Sequence, residues 1–237
     1  MSRSFLIPRG GDDQPIEIQI AEPALRAQGL SLQTWTSSFV LASLLHRLDK
    51  VDFPLPPLSG TIPVLELGAG TGLVGLTAAA LWAVPVVLTD LPPIVPGLAG
   101  NVQLNAPVVK GLVRCGSLDW AAPERLTLQN GETRSANTDK ARVILAADTV
   151  YSEEHPELLS KAILRWLADG PSSRLVLTYP MRVAYLDQIR ELWELLETGG
   201  LEAILEGREQ ASVDDWDDEC LCEWSVWRWK QSNQKTR

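Results

Sequence analysis

The sequence predicts an α/β fold, a mostly parallel sheet of seven strands with an antiparallel last strand and helices on both faces. Three observations carry this. Short β-branched apolar runs alternate with longer stretches of helical composition along the chain. The stretch from Thr61 to Asp90, TIPVLELGAGTGLVGLTAAALWAVPVVLTD, reads as strand, glycine loop, helix and strand, and ends on an acid. The last two apolar runs, Leu201 to Glu206 and Leu221 to Trp229, have no helix between them and so should pair antiparallel.

Taken in order, residues 1 to 14 are polar and glycine-bearing and read as a loose arm. Ile16, Ile18 and Ile20 alternate with Glu17 and Gln19, a half-buried strand placed outside the main sheet. Thr36, Ser37 and Ser38 offer a cap for a helix over Phe39 to Leu48, and three prolines make Asp52 to Gly60 a connector. Ile62 to Leu67 is the opening buried strand, and Leu73 to Trp82 is the helix that Pro85 ends. Val86 to Thr89 follows as a strand, Pro92 and Pro93 open a helix reaching Leu104, and Val108 to Arg114 reads as a third strand. Residues 122 to 140 are polar and contain Asn130-Gly131, a surface loop or small hairpin. Val143 to Ala147 is a strand, Glu153-Glu154 open a helix to Ala168, and Leu175 to Thr178 is the next strand. A helix over Ala184 to Glu197 ends at Gly199-Gly200, ahead of the final pair.

A chain of 237 residues with 45% hydrophobic content suffices for one well-buried domain. The 21 basic and 30 acidic side chains give a net charge of −9 and a pI near 4.8. Such a surface argues against nucleic acid and anionic membranes, and it suits a basic partner such as a lysine-bearing protein. Cys115, Cys220 and Cys222 read as packing thiols, and His46 and His155 have no zinc-type spacing to them, so no metal site is expected. No signal-like or membrane-spanning run is visible, which points to the cytoplasm or nucleus.

The strongest chemical signal is Glu66-Leu-Gly68-Ala-Gly70-Thr-Gly72. A dinucleotide fingerprint wants a third glycine at position 73, where Leu73 stands. A methionine-derived cofactor has no pyrophosphate, and an acid at Glu66 is placed to act on its ammonium, directly or through water. Asp90, at the tip of the second strand, is placed for two ribose hydroxyls. Asp119 or its neighbouring amides can bond an adenine amine while Trp120 covers the ring, although Trp120 also reads as a core aromatic. Trp35 divides in the same way between core and pocket wall. Asp148 and Tyr151 follow the fourth strand, where substrates gather, and can hold a lysine ammonium and its alkyl stem; a helix-start acid beside a packed tyrosine is the alternative.

These pieces together resemble the seven-β-strand protein lysine methyltransferases with a DxxY motif, methyltransferase family 16. The matching segments are TWTSSFVLASLL, VLELGAGTGLVGL, TDLPPIVPGLAGNVQLN, the LDW loop, LAADTVYSEE and Arg182, in that order, from about Ile16 to Trp229. The resemblance implies a Rossmann-like class I methyltransferase fold over 1–237, with an N-terminal arm, strand and helix over 1–60 and the cofactor-binding core over 61–237. It implies S-adenosylmethionine contacts from Trp35, Glu66, Gly68, Gly70, Asp90, Asp119, Trp120 and Ala147, with Asp148 and Tyr151 facing the target lysine. It also implies a monomer acting on a cytosolic protein, with translation elongation factor 1-alpha or an AAA ATPase as the substrates of known members. One segment departs from the pattern: the helix after Arg182 carries Tyr185 and an acidic sequence where aromatics are expected.

A small-molecule methyltransferase and a non-catalytic cofactor-binding partner are the competing readings. The acidic run Asp214-Asp215-Trp216-Asp217-Asp218-Glu219 reads as a solvated loop or as a docking surface with Trp216 as its anchor.

Overall fold

The computed structural model describes residues 2–11, 13–22, 33–48, 61–212, 216 and 220–231. The Pro-rich connector and the acids of the 214–219 run lie outside them.

The central sheet has the order β10-β11-β9-β8-β3-β4-β5-β6-β7. Its parallel heart is β3 (Ile62–Leu67), β4 (Val86–Asp90), β5 (Val113–Ser117), β8 (Ala141–Ala147) and β9 (Arg174–Pro180). β11 (Leu221–Trp229) runs antiparallel to both β9 and β10 (Leu201–Gln210), as the missing helix between the last two strands requires. The expected seven strands are all present. Two more extend the sheet, because the segment around Asn130-Gly131 is a hairpin, β6 (Arg125–Leu128) and β7 (Thr133–Ser135), that adds to β5. Asn130 Oδ1 accepts the Glu132 N–H and Gly131 takes φ +84°, which closes the turn.

Strand periodicity decides which face each helix covers. Val64, Val86, Leu88, Val143, Leu145 and Val176 point to one face, where α1 (Thr36–Leu48), α2 (Leu73–Trp82) and α3 (Val95–Leu104) pack. Leu65, Leu67, Ile144, Ala146, Leu175 and Leu177 point to the other, under α5 (His155–Trp166) and α6 (Leu186–Thr198).

Three expectations are corrected. The N-terminal arm is not loose: β1 (Ser2–Ile7) pairs antiparallel with β2 (Ile16–Ala21), and Phe5 and Ile7 are buried with the three isoleucines of β2. The alternation of Phe5 and Ile7 around Leu6 is the signal, brief enough to be masked by polar neighbours. The third core strand starts at Val113 instead of Val108, since Ala106–Val109 form a short helix, α4. The N–H groups of Val108 and Val109 bond the Asn105 carbonyl, Pro107 is tolerated in a first turn, and left-handed Lys110 and Gly111 end it. Trp216 is not presented as an anchor; its ring packs on Phe39 and Phe5, with the Arg3 guanidinium 4.4 Å from its centroid.

Two asparagines, Asn101 in α3 and Asn105 at its C-terminal cap, fasten the small sheet to the core. Asn105 Oδ1 accepts the Gln19 N–H at 2.9 Å while its Nδ2 donates to the Gln19 carbonyl at 2.6 Å. Asn101 Oδ1 accepts the Ala21 N–H, and its Nδ2 donates to the Thr71 carbonyl in the glycine loop. The β2 edge is thereby satisfied by side chains in place of another strand.

Candidate active site

The chain leaves β3 in one direction to build β4 and β5, and later returns to build β8 and β9 on its other side. β3 and β8 therefore flank the point where the strand order reverses, the place where open α/β sheets bind ligands beyond their carboxyl ends. Parallel register sets the site. Glu66 lies opposite both Leu88 and Leu145, so Gly68, Asp90 and Asp148 emerge side by side within three residues of these partners.

Gly68 (φ +64°), Gly70 (φ +54°) and Gly72 (φ +85°) turn the chain from β3 into α2 through left-handed conformations. A Cβ on Gly68 would meet the Thr149 methyl at 3.0 Å and the Trp120 ring at 3.1 Å, whereas one on Gly70 would meet nothing within 4 Å. Trp120 and the 148–151 turn thus close on Gly68, and Gly70 faces open space.

Two acids flank this loop. Glu66 is buried, and its Oε2 accepts the Gly75 N–H at 2.9 Å. Gly75 must be glycine, since a Cβ there would stand 2.5 Å from that oxygen. Burial pushes the Glu66 carboxyl up to about 8, against the pull of the Gly75 N–H and with help from the charge of Asp90. Asp90 Oδ2 accepts the Gly70 N–H at 2.8 Å and Oδ1 the Leu91 N–H at 2.7 Å; burial raises its pKa despite both bonds. Both sides of the loop thus disfavour a further anion and favour a cation. S-adenosylmethionine carries an ammonium and a sulfonium, and the positive-φ glycines leave room for close approach, so these residues fit that cofactor.

The Asp119-Trp120 loop is tied to the same strand tip, with the Leu118 N–H donating to the Asp90 carbonyl at 3.0 Å. Asp119 Oδ1 accepts the Ala121 N–H, which closes a turn and leaves Trp120 against Gly68 and beside His155. The Asp119 carboxylate is thus used within its own loop, and the indole is the group the loop presents.

Ala147 ends β8 and is paired in register with Thr178. Asp148 follows with φ +55°, its N–H on the Thr178 carbonyl. Its carboxylate is buried. Arg182 Nη1 donates to Oδ1 at 2.6 Å and Nη2 to Oδ2 at 2.9 Å, with the two side chains 3% and 16% exposed. The Arg182 guanidinium carbon in turn sits 5.3 Å from the centroid of the Trp35 ring. Trp35 itself is set by its neighbour, as Thr34 Oγ1 shares a hydrogen bond with Thr71 Oγ1 of the glycine loop at 3.0 Å. Tyr151 is 43% exposed at the mouth, its hydroxyl pKa raised by burial and by the charges of Asp90 and Asp148.

The ten expected site residues thus gather at the carboxyl ends of the central strands and in the segments packed on them, with Asp119 Oδ1 bonded within its own loop. Thr34, Thr71, Asn101 and His155 also contribute, and sequence reading missed them. They act through hydrogen bonds between distant segments, and no local pattern announces those.

A glycine loop at the reversal point, an acid at the next strand tip and an antiparallel penultimate strand in the sheet define a class I methyltransferase. The crystal structure of S-adenosylmethionine-bound magnesium protoporphyrin IX methyltransferase from Synechocystis PCC 6803 shares this fold, with a TM-score of 0.55 over 81% of this chain and 79% of that one, at 18% identity. The chain belongs to the lysine methyltransferase family (methyltransferase family 16), whose model matches residues 12–191. It is 35% identical over 214 residues to protein-lysine N-methyltransferase EFM2 of Saccharomyces cerevisiae, covering 84% of this chain and 48% of that protein. It is 31% identical over 235 residues to protein-lysine N-methyltransferase rrg1 of Schizosaccharomyces pombe, covering 96% and 70%. To EEF1A lysine methyltransferase 3 of Mus musculus it is 35% identical over 169 residues, covering 71% and 64%. The chain thus spans about half the length of the first of these relatives. Among the described residues no helix is long and apolar enough to cross a membrane.

Proposed function

We propose that this chain, as a single methyltransferase domain, transfers a methyl group from S-adenosylmethionine to a lysine ε-amine of a protein. The observation that carries this reading is the Asp148–Arg182 pair beside an exposed Tyr151 at the tip of β8. The cofactor, when bound, supplies a methyl group made electrophilic by its sulfonium. Trp35, Gly68, Gly70 and the Trp120 loop enclose it. Asp90 supplies negative charge that suits the cofactor's cationic groups, and a bound cation draws Glu66 towards its ionised form.

The incoming lysine must lose a proton, because an ammonium, with a pKa of about 10.4 in water, has no lone pair to attack with. A lone buried aspartate would oppose that loss by stabilising the cation. Pairing with Arg182 neutralises Asp148, so the amine gains little by remaining charged. Held in one orientation by that fork, the Asp148 carboxylate orients the amine. Tyr151 lines the approach with its ring, and water takes the proton.

We further propose a cytosolic protein substrate. The mouse and yeast relatives are named for methylating EEF1A and protein lysines, and the net charge of −9 suits a basic partner. A translation elongation factor is the first substrate to test, with an AAA ATPase second; the chain acts as a monomer. The experiment is incubation with methyl-labelled S-adenosylmethionine and cytosolic extract. Label in a protein band, mapped to one lysine, is the expected result; label in small metabolites alone overturns it in favour of a small-molecule methyltransferase.

A further inference from the structure

His155 stands at the start of α5, outside every motif that defines the site, yet it touches both of the site's halves. Its ring lies edge-on to Tyr151, with centroids 4.2 Å apart and planes at 88°, and edge-on to Trp120 at 5.8 Å and 78°. Its Nδ1 accepts the Tyr151 backbone N–H at 3.2 Å. One imidazole therefore holds the end of the Asp148-Thr149-Val150-Tyr151 turn by both the main chain and the ring of Tyr151. That turn needs holding. Asp148 enters it at φ +55°, which L-residues adopt at a cost, and Val150 anchors only its inner side.

We propose that His155 is the positioning residue for Tyr151, its unprotonated Nδ1 fixing the Tyr151 main chain and its edge-on ring contact fixing the Tyr151 side chain at the lysine entrance. The inference rests on the placement of Tyr151 at the target lysine. The bond requires a specific state. Nδ1 must carry a lone pair, so the proton sits on Nε2, and an imidazolium would set a donor against a donor. The surroundings favour this. Burial lowers the His155 pKa, outweighing the Thr149 backbone and the neighbouring Glu154, and the N-terminus of α5 disfavours a cation. The other groups packed on the ring, Trp120 and Tyr151, are uncharged.

The test separates this proposal from the substrate reading. The chain has two histidines, so imidazole nitrogen resonances of the full-length protein are assigned with a His46→Gln control. At neutral pH the expected result is the Nε2–H tautomer for His155 and slow exchange of the Tyr151 amide proton. An Nδ1–H tautomer or an imidazolium overturns the proposal. His155→Asn places Oδ1 near the Nδ1 position, so it should keep the Tyr151 amide protected, whereas His155→Ala should lose that protection. With elongation factor 1-alpha and labelled S-adenosylmethionine as the probe, His155→Ala should lower kcat/KM for the protein by about ten- to hundredfold, the cost of stranding one N–H. His155→Asn should recover to within about threefold of the unmodified chain, with cofactor Kd unchanged in both. Equal defects in the two variants, or none in either, overturn the proposal. If the unmodified chain labels nothing, the substrate reading fails alone, and the tautomer and amide exchange decide the role of His155.

Discussion

Asp148 and Arg182 meet as a two-point fork, 2.6 and 2.9 Å, across the gap between the tip of β8 and the segment after β9. The pair is nearly closed to solvent, and the outer face of Arg182 is covered by Trp35 from the N-terminal region. Three segments far apart in the chain thus share one guanidinium. A fork of this kind is geometrically specific, and removing either half leaves a buried charge uncompensated. That makes the pair the point where Trp35, the Asp148–Tyr151 turn and the segment after β9 are held together.

Substitution of Asp148 should therefore stop transfer without unloading the cofactor. Asp148→Asn is the informative change, because asparagine tolerates the left-handed backbone that alanine would strain. Methylation should fall by at least two orders of magnitude, on the scale of a lost transition-state contact of about 3 kcal/mol. Cofactor Kd by calorimetry should stay within about twofold, since the contacts at Gly68, Gly70 and Asp90 are untouched. Wild-type turnover in this variant would show that Asp148 has no role in the reaction.

Arg182→Met should destabilise the fold by about 3–5 kcal/mol, the usual cost of orphaning a buried charge. Adding Asp148→Asn should return part of that loss, and a double-mutant cycle in urea would measure the coupling. Strict additivity of the two substitutions would contradict the fork.

Asp90→Ala acts elsewhere. It frees the Gly70 and Leu91 N–H groups and removes a charge beside the loop, so cofactor affinity should drop by about tenfold or more, read by calorimetry. Gly70→Ala offers a sharper contrast. Its φ of +54° costs about 1 kcal/mol of stability, but the added methyl points into open space, so the loss of cofactor binding should exceed the loss of stability.

Glu66 predicts a pH dependence. Its folded pKa of about 8 lies above the ordinary value of 4.5, so the protonated form is the one the fold favours. That stabilisation is complete below about 4.5 and is lost as pH rises through about 8. The thermal midpoint of the cofactor-free protein should fall between pH 5 and 9, and Glu66→Gln should flatten the decline. Saturating S-adenosylmethionine should lessen the decline in the unmodified chain, because a cation beside Glu66 favours its ionised form. An identical pH profile in Glu66→Gln would place the titrating group elsewhere.

Much of this architecture was legible because it rests on local rules. The bounds of β3, α2 and β11 follow from apolar runs broken by Gly72, Pro85 and polar loops, and the antiparallel end of the sheet follows from a missing helix. Where two local signals competed, the reading slipped. Val108 and Val109 have strand character, but Asn105 and Pro107 set them in a helical turn. Phe5 and Ile7 needed β2 beside them before their alternation meant anything.

The sequence by itself determined the fold class, the family and which candidate residues stand at the strand ends, since glycine spacing, strand-end acids and element order are properties of short segments. Only the tertiary structure decided what those residues do to one another. It forked Asp148 with Arg182, bonded Asp119 Oδ1 within its own loop, packed Trp216 on Phe39 and brought His155 against Tyr151. The reason is physical. A hydrogen bond or ion pair depends on approach within about 3 Å, and that distance between residues 34 positions apart, as for Asp148 and Arg182, is set by sheet register and packing instead of by chain composition.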